Sequence, residues 1–282
     1  MIFVLNKFNF KLQLAVLLFG GAGLFGKLIP LDPALLVWGR AAWAALFLFL
    51  WMFVTKDKWT GESKSNLYVL AVLGFLLAAH WVAFFKSIQM STVAVGVLTF
   101  STFPVFTVLL APLFKQGKIK TRQLFFGMLT LGGVAFMIPY NDFGGDYLLG
   151  IIWGLLSAAF FSLITLINKS VSNKYGAFEL AFWQNTGAAL ILLPAVFICS
   201  WEALPLQYGY WFLLGTVFTG LSHGLFVGSL KGVSAQTASL YVALEPVYAI
   251  IWAFFLLWEL PSFPELAGGM VILLAVWFGN QK

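Results

Sequence analysis

Apolar stretches of about 18 to 23 residues, each enough to cross a hydrocarbon core of about 30 Å, follow one another along nearly the whole chain. Little length is left for a soluble domain. Hydropathy places ten helices at residues 11–29, 33–54, 67–86, 91–113, 121–139, 147–168, 176–198, 208–230, 234–257 and 262–280. Composition agrees, since 61% of the 282 residues are hydrophobic and only 9% are charged, against roughly 25% charged in a soluble domain. The expected fold class is an all-α integral membrane protein with ten transmembrane helices.

The net charge of +6 would raise the question of nucleic acid in a soluble protein. Here the lysines are scattered through short loops, so no nucleic-acid partner is expected. The basic residues Lys7, Lys11, Lys56, Lys58, Lys64, Lys115, Lys118, Lys120, Arg122, Lys169, Lys174, Lys231 and Lys282 all fall on the side of the N-terminus. Lys27 and Lys86 fall on the other, with Asp32, Asp142, Asp146, Glu202, Glu259 and Glu265. By the positive-inside rule both termini are cytoplasmic. Lys7 and Lys11 ahead of an apolar run resemble a signal peptide, but no small-residue cleavage site leads into a soluble chain, so a retained first helix is expected. The single cysteine, Cys199, excludes an internal disulfide and a thiolate metal cluster.

Laying the second half on the first with a shift of 142 residues puts Pro104 on Pro246, Phe103 on Glu245, Thr99 on Tyr241, Phe106 on Tyr248, Phe84 on Phe226, His80 on Ser222 and Lys27 on Lys169. The expected repeats are residues 1–140 and 141–282. Five helices per copy is an odd number, so the copies must enter the membrane from opposite sides. Such inverted repeats place a site at the midplane in many transporters.

The segments AHWVAFFKSIQMSTVAVGVLTFSTFPVFTVLL and SHGLFVGSLKGVSAQTASLYVALEPVYAIIWAFFLLWE, with the closing ELAGGMVILLAVWF, resemble the EamA-type members of the drug/metabolite transporter (DMT) superfamily. The resemblance covers nearly the whole chain. It implies two five-helix repeats around a central cavity lined by helices 1 to 4 and 6 to 9, with helices 5 and 10 peripheral. It says little about cargo, because that superfamily carries amino acids, nucleobases, sugars, choline and other metabolites on one scaffold.

The sharpest local signal is Glu245-Pro246, near the middle of an otherwise apolar stretch. A charge at that depth costs several kcal/mol unless it faces a cavity or a partner. Helical spacing puts Tyr241, Glu245, Tyr248 and Trp252 on one face. Glu245 reads either as a proton-binding carboxylate or counter-charge for a substrate ammonium, or as a carboxyl that orders the bundle. Arg40 lies about two turns inside the second predicted helix and could snorkel outward, pair with an acid, or hold a substrate carboxylate. In the second copy Asn185 stands near the corresponding place, within one helical turn of Phe182, which the shift sets on Arg40. His80 shares a face with Leu73, Leu77, Phe84 and Ser87, whereas His223 and Trp81 occupy equivalent positions that suit packing. The histidines are expected at different depths, so no metal site is expected.

Thr99, Ser101 and Thr102 precede Pro104 and either satisfy carbonyls or line the cavity. Ser162, Thr165 and Asn168 form a polar stripe that reads as contact between helices. Gly21-Ala-Gly23-Leu-Phe-Gly26 formally matches a nucleotide motif, but no strand precedes it and Leu28 replaces the required Ser or Thr. Those glycines read as points of close helix approach or flexing.

Together these readings predict a secondary transporter, an exporter of a small metabolite, with an amino acid or related zwitterion as the leading class. The expected substrate-binding residues are Arg40, His80, Phe84, Thr99, Tyr241, Glu245 and Tyr248, with Glu245 also the site of any proton coupling. A multidrug exporter of lipophilic cations is the alternative, ahead of a lipid-modifying membrane enzyme. No cofactor is expected. The partners expected are the bilayer of a bacterial inner membrane and a small molecule, for a monomer or homodimer.

Overall fold

The computed structural model describes residues 7–57, 59–60, 67–119, 121–135, 145–201, 205–257 and 263–279. All regular structure among them is helical. Pieces separated by short interruptions share one label: α1 (Lys7–Ala22 and Phe25–Leu28), α2 (Pro33–Thr55), α3 (Leu67–Met90), α4 (Val93–Phe100 and Phe103–Leu110), α5 (Thr121–Ala135), α6 (Gly145–Val171), α7 (Ala177–Ile191 and Ala195–Ile198), α8 (Pro205–Gly215 to Ser222–Ser229), α9 (Ala235–Val242 and Glu245–Leu257) and α10 (Phe263–Gly279). Eight of these are long and apolar enough to cross a membrane; α5 and α10 are shorter. Residues 136–139, 262 and 280 of the predicted fifth and tenth helices lie outside the described residues, as do Lys58, Lys64, Lys120, Lys282, Asp142, Glu202 and Glu259 of the charge argument.

Helix ends follow local chemistry. Asp32 caps α2 by accepting from Ala34 N at 2.8 Å, with Pro33 in the first turn where its missing N–H costs nothing. The helix stops at Lys56, whose left-handed φ of 55° turns its N–H back to Met52 O. At the start of α7 the Glu179 carboxylate accepts from Gly176 N at 3.1 Å and from Thr60 N at 3.0 Å, tying the segment between α2 and α3 to the helix. That acid is 1% exposed and satisfied.

Four expected continuous helices are interrupted. The prolines explain two of them, since a proline has no N–H and its ring crowds the carbonyl four residues earlier. In α4 the break falls at Ser101 and Thr102 before Pro104, and in α9 at Ala243 and Leu244 before Pro246. The two breaks are 142 residues apart, and so are the caps. Thr92 Oγ1 accepts from Val95 N and Ser234 Oγ accepts from Thr237 N, each at 3.1 Å. A third break, at Gly23 and Leu24, divides α1 and has no counterpart in α6. The fourth precedes the short final turn of α7, at Leu192 to Pro194. In α8 the turn Thr216–Leu221 widens into a π-helix.

The helices pack as α3 along α6, α2 and α3 against α7, α1 against α8 and α9, α4 against α6, and α5 against α10. Most of these contacts join one half of the chain to the other. The α3–α7 crossing depends on glycine at both positions, because a Cβ on Gly74 would stand 2.9 Å from Gly187 Cα. Large apolar side chains cover the outside, Phe53 at 77%, Leu113 at 76% and Phe197 at 81% exposed among them. In water such a surface would aggregate; in lipid it is solvated.

Candidate functional site

The interior holds a small, partly open cavity with about 30 Å³ of free space. Its wall takes Phe19 and Ala22 from α1, Arg40 from α2, Leu77, His80, Trp81 and Phe84 from α3, Phe100 from α4, Phe161 from α6, His223 from α8 and Glu245 from α9. Both halves of the chain contribute. Arg40 enters about two turns into α2, and Glu245 opens the second piece of α9, near the middle of the helix as a whole.

Most of the wall is aromatic. Phe161 is its hub, with ring centroids 4.8 Å from His80, 4.9 Å from Phe103, 5.3 Å from Phe226 and 5.5 Å from Phe100. Such contacts lock the rings against one another and keep the wall preformed. Within it the Arg40 guanidinium lies over Trp81 at 4.0 Å from the ring centroid, and Arg40 Nε donates to Thr219 Oγ1 at 2.7 Å. Thr219 sits in the π turn of α8 and itself donates to Leu214 O, five residues back. The widened turn is therefore what brings this hydroxyl to the arginine.

Glu245 differs from the other buried acid. It is 5% exposed, and among the described residues its carboxylate makes no hydrogen bond and no ion pair within 4 Å, although it lies within electrostatic reach of Arg40. A carboxylate at this depth is costly unless it faces a cavity or a partner. His80 Nδ1 lies 2.8 Å from Ser157 Oγ and 3.1 Å from Ser157 O. His223 Nδ1 faces Asn185 Nδ2 at 3.1 Å.

Of the residues expected from sequence, Arg40, His80, Phe84 and Glu245 meet in this wall, and Thr99, Tyr241 and Tyr248 do not. Thr99 Oγ1 donates to Val95 O at 2.6 Å, in the i−4 manner of a helical threonine, and packs where Gly154 of α6 leaves room. Tyr248 OH donates to Gln13 Oε1 at 2.8 Å and Trp252 Nε1 to Leu17 O at 2.7 Å, so the aromatic face of α9 docks on α1. Tyr241 is buried away from the cavity. Arg40 is 3% exposed and so does not snorkel, and among the described residues it makes no ion pair within 4 Å, Glu245 being its charged neighbour at longer range.

The histidines also depart from expectation, because His223 stands in the same cavity as His80 and does more than pack on Trp81. Among the described residues no three metal-ligating side chains cluster. Two of the three residues of the polar stripe of α6 join helices, Ser162 Oγ reaching Phe103 O at 3.1 Å and Asn168 Oδ1 accepting from Gln184 Nε2 at 2.7 Å, whereas Thr165 Oγ1 is buried with no hydrogen-bond partner among the described residues.

A bundle of long apolar helices with an apolar exterior, and with a cation and an acid in the wall of an interior cavity, defines a multi-pass integral membrane protein. The EamA-like transporter family matches residues 9–138 and 148–280. The chain belongs to that family. It is 29% identical over 251 residues to the uncharacterized transporter YxxF of Bacillus subtilis (strain 168), covering 86% of this chain and 79% of that one. It is 24% identical over 257 residues to the pseudopaline exporter CntI of Pseudomonas aeruginosa (strain UCBPP-PA14), covering 87% and 85%. To the S-adenosylmethionine uptake transporter of Rickettsia bellii (strain RML369-C) it is 23% identical over 214 residues, covering 76% and 72%. A solved structure titled "Crystal structure of protein" superposes with a TM-score of 0.79 over 97% of this chain and 96% of that one, at 14% identity, which speaks to fold alone.

Proposed function

We propose that this chain is a secondary carrier that exports a small zwitterion, an amino acid or close relative, from the cytoplasm by alternating access. One observation carries the reading: a buried cation and a buried acid share one cavity without a direct ion pair among the described residues, so each can take an opposite charge on the cargo. A zwitterion supplies both charges in one molecule. Arg40 holds the carboxylate, Glu245 meets the ammonium or exchanges it for a proton, and the surrounding rings receive the side chain.

Ten membrane-spanning helices, in two inverted five-helix repeats over 1–140 and 141–282, are part of this proposal. Support comes from the caps and proline breaks repeated 142 residues apart in α4 and α9, and from contacts that largely join the halves. The proposal also places both termini in the cytoplasm of a bacterial inner membrane, with a monomer or homodimer as the working unit.

Purified protein in liposomes tests it. Vesicles preloaded with unlabelled amino acids should take up a labelled one by saturable counterflow, and Arg40→Ala or Glu245→Gln should abolish that exchange in folded protein. Flux that rises linearly with concentration would mean a pore. An aromatic wall with a lone acid also suits a lipophilic cation; transport of ethidium that survives Arg40→Ala would replace our reading with the multidrug one.

A further inference from the structure

On the orientation proposed above, the breaks in α4 and α9 divide each helix into an outer and an inner piece. The outer pieces are Val93–Phe100 and Glu245–Leu257. The inner ones are Phe103–Leu110, which runs on through the tight turn Ala111–Phe114, and Ala235–Val242. The outer pieces reach the cavity at their broken ends, through Phe100 and Glu245, and the residues that line it include none from the inner pieces. The inner pieces therefore lie between the cavity and the cytoplasm. A proline leaves the carbonyl four residues before it without its helical donor, so each chain bends most easily at its break.

The far ends of the inner pieces are tied together and to α6. Ala111 just past α4, Leu166 of α6 and Ala235 of α9 form a small buried cluster apart from the main core, with Leu110 and Phe114 packed against it. Beyond it, Gln116 Nε2 donates to Leu166 O at 2.6 Å and to Ser170 Oγ at 2.9 Å. Gln236 Nε2 donates to Gln116 O at 2.9 Å, and its residue is 6% exposed. Two amides thus join three helix ends drawn from both halves of the chain. The sequence does not repeat them at the other end of the bundle. The shift of 142 residues sets Trp258 in the place of Gln116, Ala94 in that of Gln236 and Leu28 in that of Ser170, and none of these is an amide or a hydroxyl.

We propose that Gln116 and Gln236 form a cytoplasmic gate: they clasp the inner pieces of α4 and α9 to α6, and release of the clasp lets both pieces swing on their proline breaks and admit cargo from the cytoplasm. This rests on the carrier reading above and its orientation, but not on the cargo being a zwitterion. The bonds are neutral, which suits a contact that breaks once per cycle, since each favours the closed state only about two- to tenfold. A clasp at one end alone biases the empty carrier toward the state closed to the cytoplasm.

Two measurements test the gate. Lys118 and Thr237 stand beside the two amides in the chain and take no part in the clasp. In full-length protein carrying Cys199→Ser, Lys118→Cys and Thr237→Cys, spin labels on the two cysteines report the separation of the helix ends without any cargo. The short distance should dominate. Gln236→Leu removes one bond of the clasp and should raise the ratio of long to short distances about two- to tenfold; an unchanged distribution would overturn the proposal. The second measurement keeps both glutamines. Joining the same two cysteines with a short bis-maleimide should stop counterflow of labelled L-phenylalanine in liposomes, whereas either single-cysteine variant treated alike should continue to exchange. Undiminished exchange by the cross-linked protein would equally sink the gate. If the ends separate as expected while wild-type protein exchanges no amino acid, the zwitterion reading falls and the gate keeps its support.

Discussion

Arg40→Lys keeps a positive charge in the second turn of α2 and removes the flat, forked group that carries it. Two interactions are at stake. The Nε–Thr219 Oγ1 hydrogen bond at 2.7 Å has a charged donor and contributes roughly 1.5–3 kcal/mol. The stack on Trp81 at 4.0 Å, shielded from water, contributes about 2 kcal/mol, part of which a lysine ammonium can keep. The expected loss is therefore about 2–4 kcal/mol, read as a lower midpoint for unfolding by denaturant in mild detergent micelles. Thr219→Val removes the acceptor but also the bond from Thr219 Oγ1 to Leu214 O at 2.6 Å, so its single effect mixes two causes. A double-mutant cycle separates them: the double variant should be more stable than the sum of the singles by at least about 1 kcal/mol. If the two substitutions add to within about 0.3 kcal/mol, the π turn does not hold the arginine, and this account of the cation in the cavity is wrong.

Four further outcomes follow from the structure. Gly74→Val should destabilise the protein by about 1–3 kcal/mol, because its side chain meets the Gly187 backbone and cannot push it aside; an unchanged unfolding midpoint would refute the tight α3–α7 crossing. Thr92→Ala and Ser234→Ala should each cost about 1 kcal/mol in the same assay, since both lose a side-chain cap, and a large difference between them would argue against equivalent roles in the two halves. Cys199, just past the end of α7, should react with a membrane-impermeant maleimide added outside intact cells; labelling only after lysis would reverse the proposed orientation. Burial first, and then the Asp32 carboxylate beside it, hold that thiol above its ordinary pKa, so less of it is thiolate at neutral pH. Asp32→Asn should accordingly speed the labelling, and an unchanged rate would remove Asp32 from the account.

The bundle was legible because lipid imposes one strong requirement, a long apolar helix, and the chain meets it again and again. The paired helix breaks were legible too, since Pro104 and Pro246 leave the same mark on the backbone as on the sequence. The cavity wall was harder to read. Arg40 and Glu245 announce themselves because a charge among apolar residues must be explained, and His80 and Phe84 followed from sharing a helical face. Thr99, Tyr241 and Tyr248 failed as wall residues because helical spacing shows which residues share a face, without showing what that face meets. In α9 it meets α1. Phe161, the hub of the wall, is one of 31 phenylalanines, and nothing local marks it. His223 carried a usable sign, as a polar ring deep in an apolar helix, but its likeness in position to Trp81 suggested packing. Thr219 carried no such sign, because a π turn has no reliable signature in residue type.

That wide turn in α8 has a consequence for how such a site can change. One surplus residue per turn rotates everything beyond it by about 100° relative to a regular helix, and His223 lies immediately beyond, at the second position of Ser222–Ser229. Deleting a single residue between Thr216 and Leu221 would swing the ring out of the chamber while also withdrawing the hydroxyl that steadies Arg40. Both contacts thus depend on one local irregularity, so a single codon gained or lost there could redirect the carrier to a different molecule while its scaffold stayed as it is.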